Sequence, residues 1–359
     1  MRILVLVQGY PDNNGNVASM FVHNRNLTYI KNDYNVTVLN FATKNKYEKD
    51  GIMVLSEKDY YSSNEVYDLL IIHASNIRNH YRFLRKNSDK FKKIIFFYHG
   101  HEVLKLNEAY PDPFPYIKRN KIKESLQNLY DNFKLTVWRK YLPKIKNKSS
   151  FVFVSNWIMD EFFKNTKLSR KEFEDSCYVI NNCVGEVFEK ETFNDECEKK
   201  YDFITIRSNL DGSKYCVDLV NKLAKNTPDA KFLLVGRGEY FKHYKKSDNI
   251  EWINSTLSHK DMIDYLQMSK FALMPTREDT QGLMTCEMAA FGMPVITSDI
   301  KVCREIFDGF ENSYLIDNDR IDSLYEFKNL KYNTVKDTRY YKEKTMKKEL
   351  DLIAKNIWY

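Results

Sequence analysis

The feature that most limits how this chain can fold is a series of short, continuous apolar runs separated by longer stretches of helical spacing. Residues 2–8 (RILVLVQ) open the series, followed by 35–40 (NVTVLN), 68–73 (DLLIIH), 93–98 (KIIFFY) and 151–154 (FVFV). Runs rich in Ile, Val and Phe are what strands buried on both faces require, because neither face can then be polar. With helices between them, such strands make a parallel, doubly wound sheet. The series stops near residue 185. Residues 186–201 (EVFEKETFNDECEKKY) are rich in charge, lack a sustained period and read as a linker. Strands resume at 202–206 (DFITI), 231–235 (KFLLV), 250–253 (IEWI), 271–274 (FALM) and 294–297 (PVIT), with amphipathic stretches such as KYCVDLVNKLAKN between them.

A chain of 359 residues exceeds the roughly 250–300 at which single cores stop growing. The expectation is therefore an α/β protein of two Rossmann-like, doubly wound parallel-sheet domains facing a cleft. The first covers 1–190 and the second 191–339. The last stretch, 340–359, has helical spacing, ends in Ile357, Trp358 and Tyr359, and is free to pack back on the first domain. No apolar run approaches the roughly 18–20 residues that span a bilayer. The opening MRILVLVQGYPDNNG turns polar too soon for a secretory signal, so a soluble, cytoplasmic chain is expected. Six cysteines without a C-x-x-C pair or a histidine neighbour read as scattered free thiols, and no metal site is expected.

Two facing α/β domains bind ligands at the carboxyl ends of their strands, which directs attention to the strand-to-helix loops. In 276–299 (TREDTQGLMTCEMAAFGMPVITSD) a helical pattern starts near Thr280–Leu283 and stops at Gly292-Met293-Pro294. The N–H groups of the Gln281-Gly282-Leu283 turn would then point outward and suit an anion, and Gly282 lets a phosphate approach. Asp279 precedes the helix and Glu287 lies within it, so the two carboxylates would touch different parts of one elongated ligand. The same residues also suit a glycine turn and an acidic cap on an ordinary helix.

The segment DTQGLMTCEMAAFGMPVITSD resembles the acidic-x7-Glu signature of retaining, nucleotide-sugar-dependent glycosyltransferases of the GT-B fold, the glycosyltransferases group 1 family. Gly282, Glu287, Gly292, Pro294, Val295 and Ile296 match its pattern. The first acid is Asp279 rather than glutamate, with Glu278 beside it, and Thr280-Gln281 stands where the family has Gly-Phe. FITIRSNLDGSK is similar to the family's first strand of the second domain, where an arginine and a lysine, here Arg207 and Lys214, grip the diphosphate. FLLVGRGEY resembles a strand end at which Gly236 and Gly238 approach the base or ribose. In the first half, Gly15 matches the glycine loop after the first strand. HGHEV, residues 99–103, is similar to a segment whose histidine contacts the transferred sugar; His99 holds that position, and His101 is the second choice on the same loop as Glu102. Asn182 stands near the family's Pro-Asn-Gly without its proline or glycine.

What the resemblance implies is metal-independent transfer of a sugar, with retained configuration, from a UDP- or GDP-linked donor; no separate cofactor is expected. Arg207, Lys214 and the N–H groups of Gln281, Gly282 and Leu283 would hold the diphosphate. Asp279 would orient the sugar, His99 would touch it, and Glu287 would bind the ribose. The acceptor would be a glycan or a lipid-linked molecule in surface polysaccharide or glycoconjugate synthesis. Two other functions share these features: a nucleotide-sugar epimerase of the same fold, and a non-catalytic sugar-nucleotide-binding subunit of a transferase complex.

Charge adds one more expectation. The chain carries a formal +7, yet residues 118–148 hold ten basic and two acidic residues, a net +8 that leaves the remainder at −1. Aromatic and apolar residues interleave with these cations. A basic amphipathic stretch with Trp and Tyr suits an anionic membrane surface, the inner face of the plasma membrane in this reading, or else a solvated helix pair. No nucleic-acid-binding motif accompanies it.

Overall fold

In the computed structural model, which describes residues 1–16 and 18–355, the apolar runs become the central strands of two separate sheets. The first contains β1 (Arg2–Val7), β2 (Asn35–Asn40), β3 (Tyr47–Lys49), β4 (Ile52–Leu55), β5 (Leu69–His73), β6 (Lys93–Tyr98), β7 (Ser149–Phe153) and β8 (Cys177–Val179). Their order is β3-β4-β2-β1-β5-β6-β7-β8, parallel except for the β3–β4 pair. At the centre, Ile3 pairs with Val36 on one side and Leu69 on the other. The second sheet contains β9 (Tyr201–Asn209), β10 (Phe232–Arg237), β11 (Ile250–Ile253), β12 (Ser269–Met274), β13 (Val295–Ser298) and β14 (Ser313–Ile316), ordered β11-β10-β9-β12-β13-β14 and all parallel. Strands β3, β4, β8 and β14, absent from the sequence expectation, lie at or next to sheet edges. There one side is open, and a continuous apolar run is not needed.

Five helices matter below: α1 (Met20–Lys31), α2 (Lys121–Ile145), α3 (Val217–Asn226), α4 (Leu283–Phe291) and α5 (Lys342–Lys355). Helix α3 buries Val217, Val220 and Ala224 together with Leu219 and Leu223, the spacing of one apolar face. Helix α4 is buried over Thr285–Phe291 and stops at Gly292, whose φ of 98° closes the helix as a side chain there would resist.

The chain divides into two units. One comprises Met1–Leu106, Leu126–Asn181 and the segment from Met346; the other comprises Asn107–Ser125 and Asn182–Thr345. The boundary thus falls at Asn181–Asn182, where the sequence reading had 190, and 107–125 joins the second unit. Phe114 explains that assignment: it is buried among Leu210, Val217 and Tyr240, with its ring 5.0 Å from that of Tyr240. The expected linker is also structured. Glu186–Lys190 forms a short helix, Phe188 is fully buried, and the Phe193 N–H donates to the Phe291 carbonyl at 2.8 Å. Two aromatics five positions apart anchor this stretch singly, so no period betrays them.

Helix α5 sends Met346, Leu352 and Ile353 into the core that holds Ile3, Tyr29 and Val36. Within it Glu349 accepts from Arg25 Nε at 3.1 Å and from the Tyr29 hydroxyl, with both charged partners almost fully buried. Losing one partner of such a pair leaves an uncompensated buried charge, a loss of about 3–5 kcal/mol. Residues 356–359, with Ile357, Trp358 and Tyr359, lie outside the described residues. Among the described residues, no helix is long and apolar enough to cross a membrane.

Candidate functional site

In the second sheet, chain order runs outward from β9 through β10 to β11, then returns to the other side of β9 with β12. Two adjacent parallel strands whose connections leave in opposite directions open a crevice at their carboxyl ends. The loops after β9 and β12 meet there. They border a cavity of about 390 Å³ lined by Arg207, Ser208, Tyr215, Ser255, Asp279, Gly282, Leu283 and neighbours.

Arg207 is 7% exposed. Its Nη2 donates to the Pro275 carbonyl at 2.8 Å, and its guanidinium lies 5.1 Å from the centre of the Tyr215 ring. Its Nε is buried and finds no acceptor among the described residues. Burial lowers its pKa, against the opposing charge of Asp279. A buried guanidinium with an unanswered N–H, facing a cavity, is poised for an anionic ligand.

Asp279 shapes the loop opposite. One of its oxygens accepts from the N–H groups of Thr280 at 2.7 Å, Gly282 at 2.9 Å and Gln281 at 3.4 Å. The turn wraps round this carboxylate, and Gly282, with φ 71°, supplies the left-handed residue before α4. The N–H groups of Gln281 and Gly282, expected to face a ligand, are therefore engaged by Asp279. Those of Leu283 and Met284 lie in the first turn of α4, whose amides have no partner within the helix.

Lys214 sits in a short turn, Ser213–Tyr215, with its ammonium 4.9 Å from the ring centres of both Tyr110 and Tyr215. The turn is tied to the β12 loop, since the Lys214 carbonyl accepts from Arg277 N at 2.8 Å and Thr276 Oγ1 at 3.1 Å. Arg277 in turn grips Asp218 through two bonds, of 2.9 and 2.7 Å. Lys214 is not among the residues lining the cavity, although its neighbour Tyr215 is.

Other expected residues are placed for different work. The Gln281 side chain pairs both ways with the backbone of Asn182, accepting from its N at 2.8 Å and donating to its O at 2.9 Å. Glu287 is 5% exposed, accepts from Gly185 N at 3.0 Å and is not among the lining residues. Burial raises its pKa to about 7. At Gly236 a Cβ would stand 2.1 Å from the Arg207 carbonyl oxygen, so this glycine permits β10 to lie close to β9 beneath the site. Gly238 is similarly confined by Leu210 and Asp211.

In the first unit, Gly15 occupies a turn with φ 92° and open space around it. His99 is half-buried at the end of β6; its Nε2 lies 3.2 Å from His73 Nδ1, and its ring is edge-on to Phe21. Burial, then the positive charge of Arg25, push its pKa down to about 3, so the imidazole is neutral. His101 is exposed. Glu102 is buried and accepts from the N–H groups of His99 at 2.8 Å and Gly100 at 2.7 Å, which fixes this loop.

Tyr215, Ser208 and Ser255 carried no sequence signal. Nor did Tyr116, whose hydroxyl donates to Asp211 at 2.6 Å, or Tyr110; both belong to the 107–125 segment, whose place in the second unit only the fold reveals. Among the described residues no three His, Cys, Asp or Glu side chains gather as metal ligands.

Residues 203–327 match the family model Glycosyl transferases group 1. No curated protein matches the chain. Among solved structures, the chain is similar to sucrose-phosphate synthase from Thermosynechococcus elongatus, with TM-score 0.65 and 11% identity over 99% of this chain and 90% of that one. It is similar to Anabaena HepE, solved with UDP and glucose, with TM-score 0.66 and 13% identity over 99% of this chain and 100% of that one. It also resembles a variant of S. aureus TarM solved with UDP, with TM-score 0.63 and 11% identity over 98% and 99%.

Proposed function

We propose, for a chain whose residues 203–327 match the glycosyl transferases group 1 model and whose two α/β sheets have the GT-B fold, that it is a glycosyltransferase moving a sugar from a nucleotide diphosphate donor to a glycan or lipid-linked acceptor. We further propose that transfer retains the anomeric configuration, needs no metal, and serves surface polysaccharide or glycoconjugate synthesis in the cytoplasm. One observation carries the reading: the buried, unanswered Nε of Arg207 at the cavity formed by the loops after β9 and β12.

The chemical problem is a diphosphate that gains charge as it leaves. Arg207 supplies a planar guanidinium and Lys214 a point charge, and the first turn of α4 supplies N–H groups at its positive end. Preorganised where charge develops, such groups favour the charge-separated transition state over the ground state. The bond from the anomeric carbon to the phosphate oxygen breaks, and the acceptor hydroxyl oxygen bonds to that carbon on the same face. The hydroxyl proton passes to the departing phosphate. Asp279, with one oxygen held by its own turn, is assigned to the sugar hydroxyls, as is neutral His99. Glu287 is assigned to the ribose.

The test is product analysis after incubation with UDP- and GDP-sugars, with and without acceptor. Acceptor-dependent release of nucleotide diphosphate and a glycoside of retained configuration is expected, with a sharp loss in Lys214→Ala. Sugar isomerisation without acceptor would establish the epimerase instead. Near-normal turnover in Lys214→Ala would refute that assignment.

A further inference from the structure

Helix α2 carries apolar side chains on two opposed faces, and the first unit uses one of them. Leu135, Trp138, Leu142 and Ile145 are buried. On the same side Asp131 and Lys134 form a buried ion pair at 2.8 Å. Lys134 donates to the carbonyls of His101 and Leu104, and Asp131 accepts from Leu106 N, so this face holds the loop that begins with His99. Lys134 therefore belongs to the interior, not to the basic surface that the sequence suggested. Arg119 is likewise engaged, by Asp112 and Glu124.

The other face is a row. Leu126, Leu129 and Phe133 recur at intervals of three and four, and are 59%, 64% and 60% exposed. At 3.6 residues per turn they lie roughly half a turn round the helix from the buried set. Single exposed leucines are ordinary, whereas a contiguous exposed row marks a surface that meets something apolar. Exposed Lys140 and Lys144 continue its line beyond Phe133.

We infer that α2 docks this row on an anionic lipid surface, the apolar side chains entering the interface and the lysines meeting the headgroups. The charge argues against a second copy of the chain, which would oppose two segments of net +8. The apolar, mostly aliphatic row argues against nucleic acid, whose phosphates would leave it uncovered. Only the purpose, meeting a lipid-linked acceptor, rests on the transferase reading; the docking does not.

The experiment is flotation of the full chain with phosphatidylcholine vesicles, alone or mixed with phosphatidylglycerol, at low and high salt. The wild type should float with the anionic vesicles and release at high salt. Leu129→Glu/Phe133→Glu should lower partitioning at least about tenfold with an unchanged melting temperature, since both side chains are exposed. Lys140→Gln/Lys144→Gln should lower it by about fivefold per lysine. No flotation of the wild type, or equal flotation of the acidic double variant, overturns the docking. So does an oligomer that the double variant dissolves while vesicles go unbound. Flotation without turnover of any nucleotide sugar would keep the docking and remove the transferase reading.

Discussion

The two units share a doubly wound plan but treat their buried charges differently. In the first, Arg25 is answered by Glu349 across α1 and α5, and burial disfavours the charged forms of His73 and His80. His80 is pushed down to about 3 by burial, and His73 is pushed well below its usual range by burial and then by His99. In the second, Arg207 keeps an unanswered Nε, and Glu287 is buried with a single backbone partner. A buried cation answered by a buried anion, as Arg25 is by Glu349, holds itself together. An unmatched one at the carboxyl ends of central strands is where a ligand completes the structure, and the strained packing around it should resist change.

The sharpest way to break this contrast is a pair of glycine substitutions. Gly236→Ala drives a Cβ into the Arg207 carbonyl and should cost about 3 kcal/mol or more, while Gly15→Ala, in open space, should cost only about 1–2 kcal/mol for its backbone conformation. Denaturant midpoints of the two variants measure this directly; equal losses would show that β9 and β10 tolerate separation.

A smaller effect separates the units by pH. Glu287 has a folded pKa of about 7 against 4.5 unfolded, so between those values the unfolded state binds fewer protons and stability falls as pH rises. Glu287→Gln should therefore stabilise the protein above pH 7, by at most about 3 kcal/mol, with the gain vanishing toward pH 4.5. The histidines act with the opposite sign: their folded pKa is lowered, the unfolded state binds more protons below 6.5, and stability falls as pH falls. Hydrogen exchange at pH 5 and 8 should show β5 and β6 loosening in acid and α4 loosening in base.

The smallest expected effect is at Tyr110. Its ring faces Lys214 at 4.9 Å, and Tyr110→Ala should raise the donor KM about two- to fivefold with kcat little changed, whereas Tyr110→Phe retains the wild-type value.

What the sequence disclosed divides along the same line. Central strands declared themselves, because burial on both faces demands continuous apolar runs. The edge strands β3, β8 and β14 did not, although edge strand β11 did; nor did Phe188 and Phe193, which anchor a charged stretch one side chain at a time. Arg207 was legible near a strand end, and Asp279 and Gly282 as loop residues, and they come together at one cavity. What Gln281 and Gly236 do was not, since amide pairing with Asn182 and contact with a neighbouring strand's carbonyl arise only on folding. The 107–125 segment escaped for the same reason, as its aromatics lie among prolines with no period to read.

The most direct measurement is isothermal titration of UDP and GDP into the wild type and Arg207→Ala, with the melting temperature of each recorded. The wild type should bind one of the two nucleotides. Losing a charge-assisted bond in a buried site should weaken binding at least about tenfold while the fold persists. Undiminished binding by Arg207→Ala, or no binding of either nucleotide by the wild type, would contradict the account.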